Sequence, residues 1–138
     1  MGISPYIRLT PEALEADIRA QLDGDFRMFY ASDASLCIDY PLRNSVRILL
    51  TSDDGVAFWR DELLRKIAKS YQDTYAEEER TTQLPVETMA ERHAGCFLIN
   101  RAETNGTFGI YGHALSDLLL HTICYDPESR VISLKLDS

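Results

Sequence analysis

The stretch from Gly95 to Leu136 reads GCFLINRAETNGTFGIYGHALSDLLLHTICYDPESRVISLKL, and its punctuation decides the fold class. Short apolar runs are cut by Asn105-Gly106, by Gly109 and Gly112, and by Asp126-Pro127, a spacing that suits strands rather than helices. CFLIN (96–100) reads as a buried strand. Asn105-Gly106 favours a type I′ turn, which would pair Thr104 with Thr107 and make the flanking strands antiparallel neighbours. Gly109 and Gly112 bracket Ile110 and Tyr111, as a bulge or local bend does. LLLHTICY (118–125) and VISLKL (131–136) read as a second hairpin across Asp126 and Pro127. A loop from Asp126 to Ser129 pairs Ile123 with Ile132 and His121 with Leu134, turning His121 to the core. A loop one residue longer pairs Cys124 with Ile132 and His121 with Lys135. The sequence leaves both registers open. A helix over 114–123 capped by Ser116 is the alternative, but the β-branched residues favour a strand.

Upstream, SDDG (52–55) opens the longest helical pattern, predicted from about Val56 to Glu78. At about 100° per residue, Val56, Trp59, Leu63, Leu64, Ile67, Tyr71 and Tyr75 gather on one side, while Asp61, Glu62, Arg65, Lys69 and Asp73 lie away from them. Glu62 with Lys66 and Asp61 with Arg65 are acid-before-base pairs at helical spacing, each worth ~0.3 kcal/mol. Two residues break the pattern. Arg60 falls inside the apolar stripe, either packing its stem with its head at solvent or acting as an anion clamp. Phe58 points to the polar side, against a neighbouring loop or as an exposed anchor for a partner.

Nearer the N-terminus, Thr10-Pro11 is a helix start, and Leu14, Ile18 and Leu22 recur until Gly24, which predicts a helix from Pro11 to about Leu22. FRMFY (26–30), LCIDY (36–40) and VRILLT (46–51) read as three strands, a possible meander, with Pro41 ending the second or marking an edge. AEEERTTQLP (76–85) reads as a frayed helix end and exposed loop, with Glu77, Glu78 and Glu79 forming a solvated face. Pro85 then starts a short helix, VETMAERHA, ended by Gly95. The whole predicts one α+β domain over 1–138: a single, mainly antiparallel sheet of about six or seven strands, with one long helix and one or two shorter helices packed on it.

Composition narrows the function classes. A length of 138 residues suits one domain with a sizeable core. The net charge of −8 repels phosphate backbones, and 11 of the 14 basic residues are arginines scattered from Arg8 to Arg130, so nucleic-acid binding is disfavoured. No apolar run approaches the roughly 18 residues of a membrane span. Cys37, Cys96 and Cys124 form no CxxC pair, and MGISPYIRLTPEAL lacks signal-peptide character, which fits reduced thiols in a cytoplasm.

Three constellations carry reactive side chains. His93 with Cys96 and His121 with Cys124 are two HxxC pairs with zinc-type donors. Residues three apart on a strand face opposite ways, however, so ordinary core cysteines and histidines are the simpler reading, and neither metal nor cofactor is expected. Cys96, His113 and Asp117 are the types used in cysteine nucleophilic catalysis. His113 with Asp117 or Glu103 suits general acid–base work; the plainer reading is that Asp117 closes a loop while His113 bonds backbone. Phosphate-binding glycine motifs are absent.

Two functional expectations follow. The first is a small acidic protein-binding module, such as an inhibitor or immunity-type protein masking a basic partner, with Asp53, Asp54, Phe58, Glu77, Glu78 and Glu79 as contact residues. The second is a small enzyme or ligand-binding domain using His113, Asp117, Tyr111 and Arg60. A homo-oligomer through a sheet edge or through Phe58 is compatible with either.

Overall fold

The computed structural model describes residues 1–84 and 102–138. In chain order the elements are β1 (Gly2–Arg8), α1 (Pro11–Arg19), β2 (Arg27–Tyr30), β3 (Asp33–Ile38), β4 (Val46–Thr51), β5 (Ala57–Trp59), α2 (Arg60–Thr81), a 3-10 turn (Leu115–Asp117), β6 (Leu119–Asp126) and β7 (Val131–Asp137). The α+β class is as expected, but the strands divide between two sheets. One has five strands in the order β1-β6-β7-β3-β4, antiparallel except where β3 runs parallel to β7; the other pairs β2 with β5. The meander therefore keeps β3 beside β4 but loses β2, which pairs instead with the distant β5.

That pairing also moves the start of the long helix. Ala57, Phe58 and Trp59 lie opposite Tyr30, Phe29 and Arg27, so the segment predicted as the first helical turn is a strand, and α2 begins at Arg60. Leu63, Leu64, Ile67, Tyr71 and Tyr75 bury the apolar stripe as its spacing dictates. Glu62 meets Lys66 at 2.9 Å, but Asp61 binds Arg60 and Arg65 reaches across to Glu15, so the second expected pair does not form. Helix α1 stops at Arg19, short of Leu22. Gln21 Nε2 donates to Pro5 O, the Leu22 amide donates to Ser4 O, and the Leu22 side chain is left 82% exposed.

One face of the five-stranded sheet is apolar. Leu36, Ile38, Leu120, Ile123 and Ile132 are buried there in one core with Phe58 and the α2 stripe, and Tyr125 stacks on Phe29 at 3.7 Å to join the small sheet to that core. β3 ends at Ile38, before Pro41, as the proline required. The β6–β7 hairpin forms in neither expected register: Asp126 pairs with Val131, Tyr125 with Ile132 and Ile123 with Leu134. Arg130, at φ +56°, takes the left-handed position that closes the loop. The register then shifts between Leu120 and Thr122, leaving His121 in a bulge, half-buried against the Tyr6 ring rather than in the core.

Asn105-Gly106 makes no type I′ turn, since neither residue has positive φ. The segment from Thr104 to Ile110 instead wraps one carboxylate, that of Glu78. Thr104 Oγ1 donates to it at 2.6 Å, and the amides of Gly106, Phe108, Gly109 and Ile110 donate at 2.8, 2.9, 3.2 and 3.4 Å. Glu78 is fully buried, which corrects the solvated-face reading. Burial pushes its carboxyl up, but the Thr104 hydroxyl and the amides of Phe108, Gly106 and Gly109 outweigh that and hold it below the usual glutamate range. The expected helix VETMAERHA, the strand CFLIN and the residues His93 and Cys96 lie outside the described residues.

Candidate functional site

The small β2–β5 sheet has two unlike faces. Phe29 and Phe58, opposite each other across the strands, turn inward with rings 5.2 Å apart, and Phe58 is fully buried. Its reading as an exposed anchor is thus corrected: on a strand it faces opposite to Trp59, whereas helical spacing had placed it on the polar side. The other face carries Arg27 and its cross-strand partner Trp59. The Arg27 guanidinium lies 4.5 Å over the Tyr30 ring, so Arg27, Tyr30 and Trp59 form one surface, with Tyr30 64% and Trp59 38% exposed. Val56, just before β5, is also exposed. Sequence periodicity missed Tyr30 and Trp59 because the first was read simply as a strand residue and the second as part of a helix stripe.

Carboxylates sit on the chain segments that lead into this surface. Asp54 Oδ1 accepts the amides of Val56 and Ala57 at 2.8 and 2.9 Å, fixing the turn into β5, and those backbone bonds hold its carboxyl below the usual aspartate range. Asp53 is exposed, its carboxylate 2.8 Å from Lys66 Nζ, and its amide donates to Glu62. On the β2 side, Asp25 Oδ1 accepts the Asp61 amide at 3.1 Å, beside exposed Asp23. Asp54 therefore fixes the turn that leads into the aromatic surface, whereas Asp53 lines the groove between β4 and α2. Glu77, Glu78 and Glu79 lie near the far end of α2, roughly 25 Å along the helix. Glu77 is held by Arg80 at 2.5 Å, Glu78 is buried, and Glu79 is exposed.

The structure does gather Tyr111 and His113, around Tyr40. The Tyr111 ring meets Tyr40 edge-on at 6.2 Å, the His113 ring lies 5.9 Å from it, and Arg43 sits over Tyr111 at 5.7 Å. Arg43 is also paired with Glu103, the other carboxylate considered for His113. His113 Nδ1 is 4.0 Å from Asp117 Oδ2, which accepts the Ala114 amide at 2.8 Å and so closes the 3-10 turn. This is loop closure by Asp117, with Tyr75 Oη donating to the His113 carbonyl at 2.9 Å. Arg60 stays apart, at the opposite end of α2, 4% exposed; its Nε binds Asp61 and its Nη1 binds the Asp23 carbonyl, so its head does not reach solvent.

Comparison with protein-family models, with curated proteins and with solved structures finds no match. Among the described residues no three of the His, Cys, Asp and Glu side chains are grouped to hold a metal ion, and no described helix is long and apolar enough to cross a membrane.

Proposed function

We propose that this chain is a protein-binding module that covers a basic partner, in the manner of an inhibitor or immunity-type protein. The observation that carries the reading is the Arg27–Tyr30–Trp59 surface with Asp23, Asp25, Asp53 and Asp54 on the segments around it. Arginine, tyrosine and tryptophan are the residues that dominate binding energy when a partner seals them from water. Carboxylates on the adjoining segments add steering for a partner of opposite charge. The net charge of −8 supports the same choice at long range.

The test is capture of partners by the immobilised full chain, followed by titration of each purified partner against wild type, Tyr30→Ala and Trp59→Ala. The expected result is a basic partner whose affinity falls roughly tenfold or more in either variant and declines further as salt is raised. A partner whose binding ignores both substitutions and salt overturns the reading.

A further inference from the structure

Asparagine followed by glycine is the pair in which a side-chain amide is most readily attacked by its own backbone, because glycine sets no side chain beside the attacking nitrogen. The chain has one such pair, Asn105-Gly106, and the tertiary structure requires both residues. A Cβ at position 106 would fall 2.5 Å from Thr81 Oγ1 and 2.7 Å from Glu78 Oε1, so only glycine fits. At position 105 the side chain supplies a neutral acceptor to the chain leaving α2. Asn105 Oδ1 accepts the Gln83 amide at 2.9 Å and lies 3.1 Å from Thr82 Oγ1. Aspartate would accept the same bonds but would bring a negative charge to the helix C-terminus, where the macrodipole disfavours one.

In the ring closure open to this pair, the Gly106 amide gives up its proton, its nitrogen bonds to Asn105 Cγ, and the side-chain nitrogen leaves as ammonia carrying that proton. Water then opens the succinimide at either carbonyl, giving aspartate or an isoaspartate whose backbone is one methylene longer. The folded structure opposes the closure. The Gly106 N–H points at Glu78 Oε2, 2.8 Å away, and Glu78 is fully buried. Loss of the proton would set an anionic nitrogen against a carboxylate, which the low local dielectric makes costly. Swinging Cγ onto that nitrogen also gives up the contacts to Gln83 and Thr82. Glu78 is poorly suited to take the proton itself, because four other donors already share its oxygens.

We propose that Asn105 is a latent deamidation site and that Glu78 is the residue that holds it unreactive. Closure surrenders three bonds, each worth about a fivefold factor, so the folded chain reacts roughly a hundredfold more slowly than the unfolded one. Where isoaspartate does form, its added methylene carries the Gly106 N–H away from Glu78, and the loop from Thr104 to Ile110 loses its register on that carboxylate. The modification is a one-way release of this loop, with water as the only co-reactant. The site lies at the opposite end of α2 from the Arg27–Tyr30–Trp59 surface, and neither reading depends on the other.

The test incubates the full chain in neutral buffer, folded and in urea, and follows Asn105 by peptide mapping with mass spectrometry that separates aspartate from isoaspartate. The expected result is loss of asparagine roughly a hundredfold slower in the folded chain. Glu78→Gln removes the charge facing Gly106 and speeds the folded reaction roughly tenfold; were Glu78 the base that takes the Gly106 proton, the same variant would slow it. Thr82→Val removes one contact to Asn105 Oδ1, speeds the reaction roughly fivefold, and decides the matter if Glu78→Gln fails to fold. Ile132→Val loosens the buried core without touching the loop and leaves the rate unchanged. Chains bearing isoaspartate exchange the amide hydrogens of residues 106–110 faster than unmodified chains. Equal rates in the folded chain and in urea, a slower reaction in Glu78→Gln, or a rise in Ile132→Val as large as in Glu78→Gln would overturn the proposal.

Discussion

The Thr104 hydroxyl donates to Glu78 Oε2 at 2.6 Å with both residues sealed from solvent, and this contact anchors a loop from the second half of the chain on the last turns of α2. The same carboxylate accepts four backbone amides, so the loop has its hydrogen bonds satisfied without belonging to a sheet. Glu78→Ala orphans five donors at once and is expected to cost about 3 kcal/mol, with Glu78→Gln costing less because one carbonyl oxygen remains. Gly106→Ala should also destabilise, since its Cβ would fall 2.5 Å from Thr81 Oγ1 and 2.7 Å from Glu78 Oε1. Urea unfolding of the three variants measures all of these.

Acid should unfold the protein partly through that carboxylate. Glu78 has a folded pKa below its unfolded value, so its contribution is fully present above the unfolded pKa of about 4.3 and is lost as pH falls through the folded one. Asp17 behaves alike: the Arg8 side chain, bonded through Nε and Nη2 at 2.9 and 2.7 Å, holds its carboxyl down against burial. Stability measured from pH 7 to pH 3 is expected to fall below pH 5, and more shallowly in Glu78→Gln.

Phe58 separates a core role from a contact role. Fully buried against Phe29, it should cost roughly 3 to 5 kcal/mol when replaced by alanine, as large core deletions do. Tyr30→Ala removes a side chain that is 64% exposed and should shift stability by less than about 1 kcal/mol. Thermal melts of the two variants should differ by many degrees.

Cys37 and Cys124 should never join within one chain. Cys124 pairs with Ser133 on β7, and extending the parallel β3–β7 register by one step puts Cys37 on the other side of the same serine. Two strand spacings separate them by roughly 10 Å, beyond what a disulfide spans. Both thiols are half-buried, so oxidation followed by peptide mapping should find no Cys37–Cys124 link while slow alkylation labels each in the folded protein.

What the sequence determined by itself was local. Thr10-Pro11 starts α1, the apolar spacing from Leu63 to Tyr75 buries one side of α2, Pro41 lies beyond the end of β3, and the strand character of residues 119–126 follows from their β-branched residues. These depend on neighbours a few positions away, whose geometry the backbone period dictates. Only the tertiary structure decided which strands pair and which groups are sealed. Phe58 changed faces because β2, nearly thirty residues earlier, captured residues 57–59 from the helix. Asn105-Gly106 gave up its turn because a buried carboxylate satisfied more amides than a two-residue hairpin offers, and Glu78 left a run of solvated glutamates for the same reason. The reading of a protein-binding module began from small size, acidity, loop-borne carboxylates and Phe58; Arg27, Tyr30 and Trp59 entered it only when two strands far apart in sequence set them side by side.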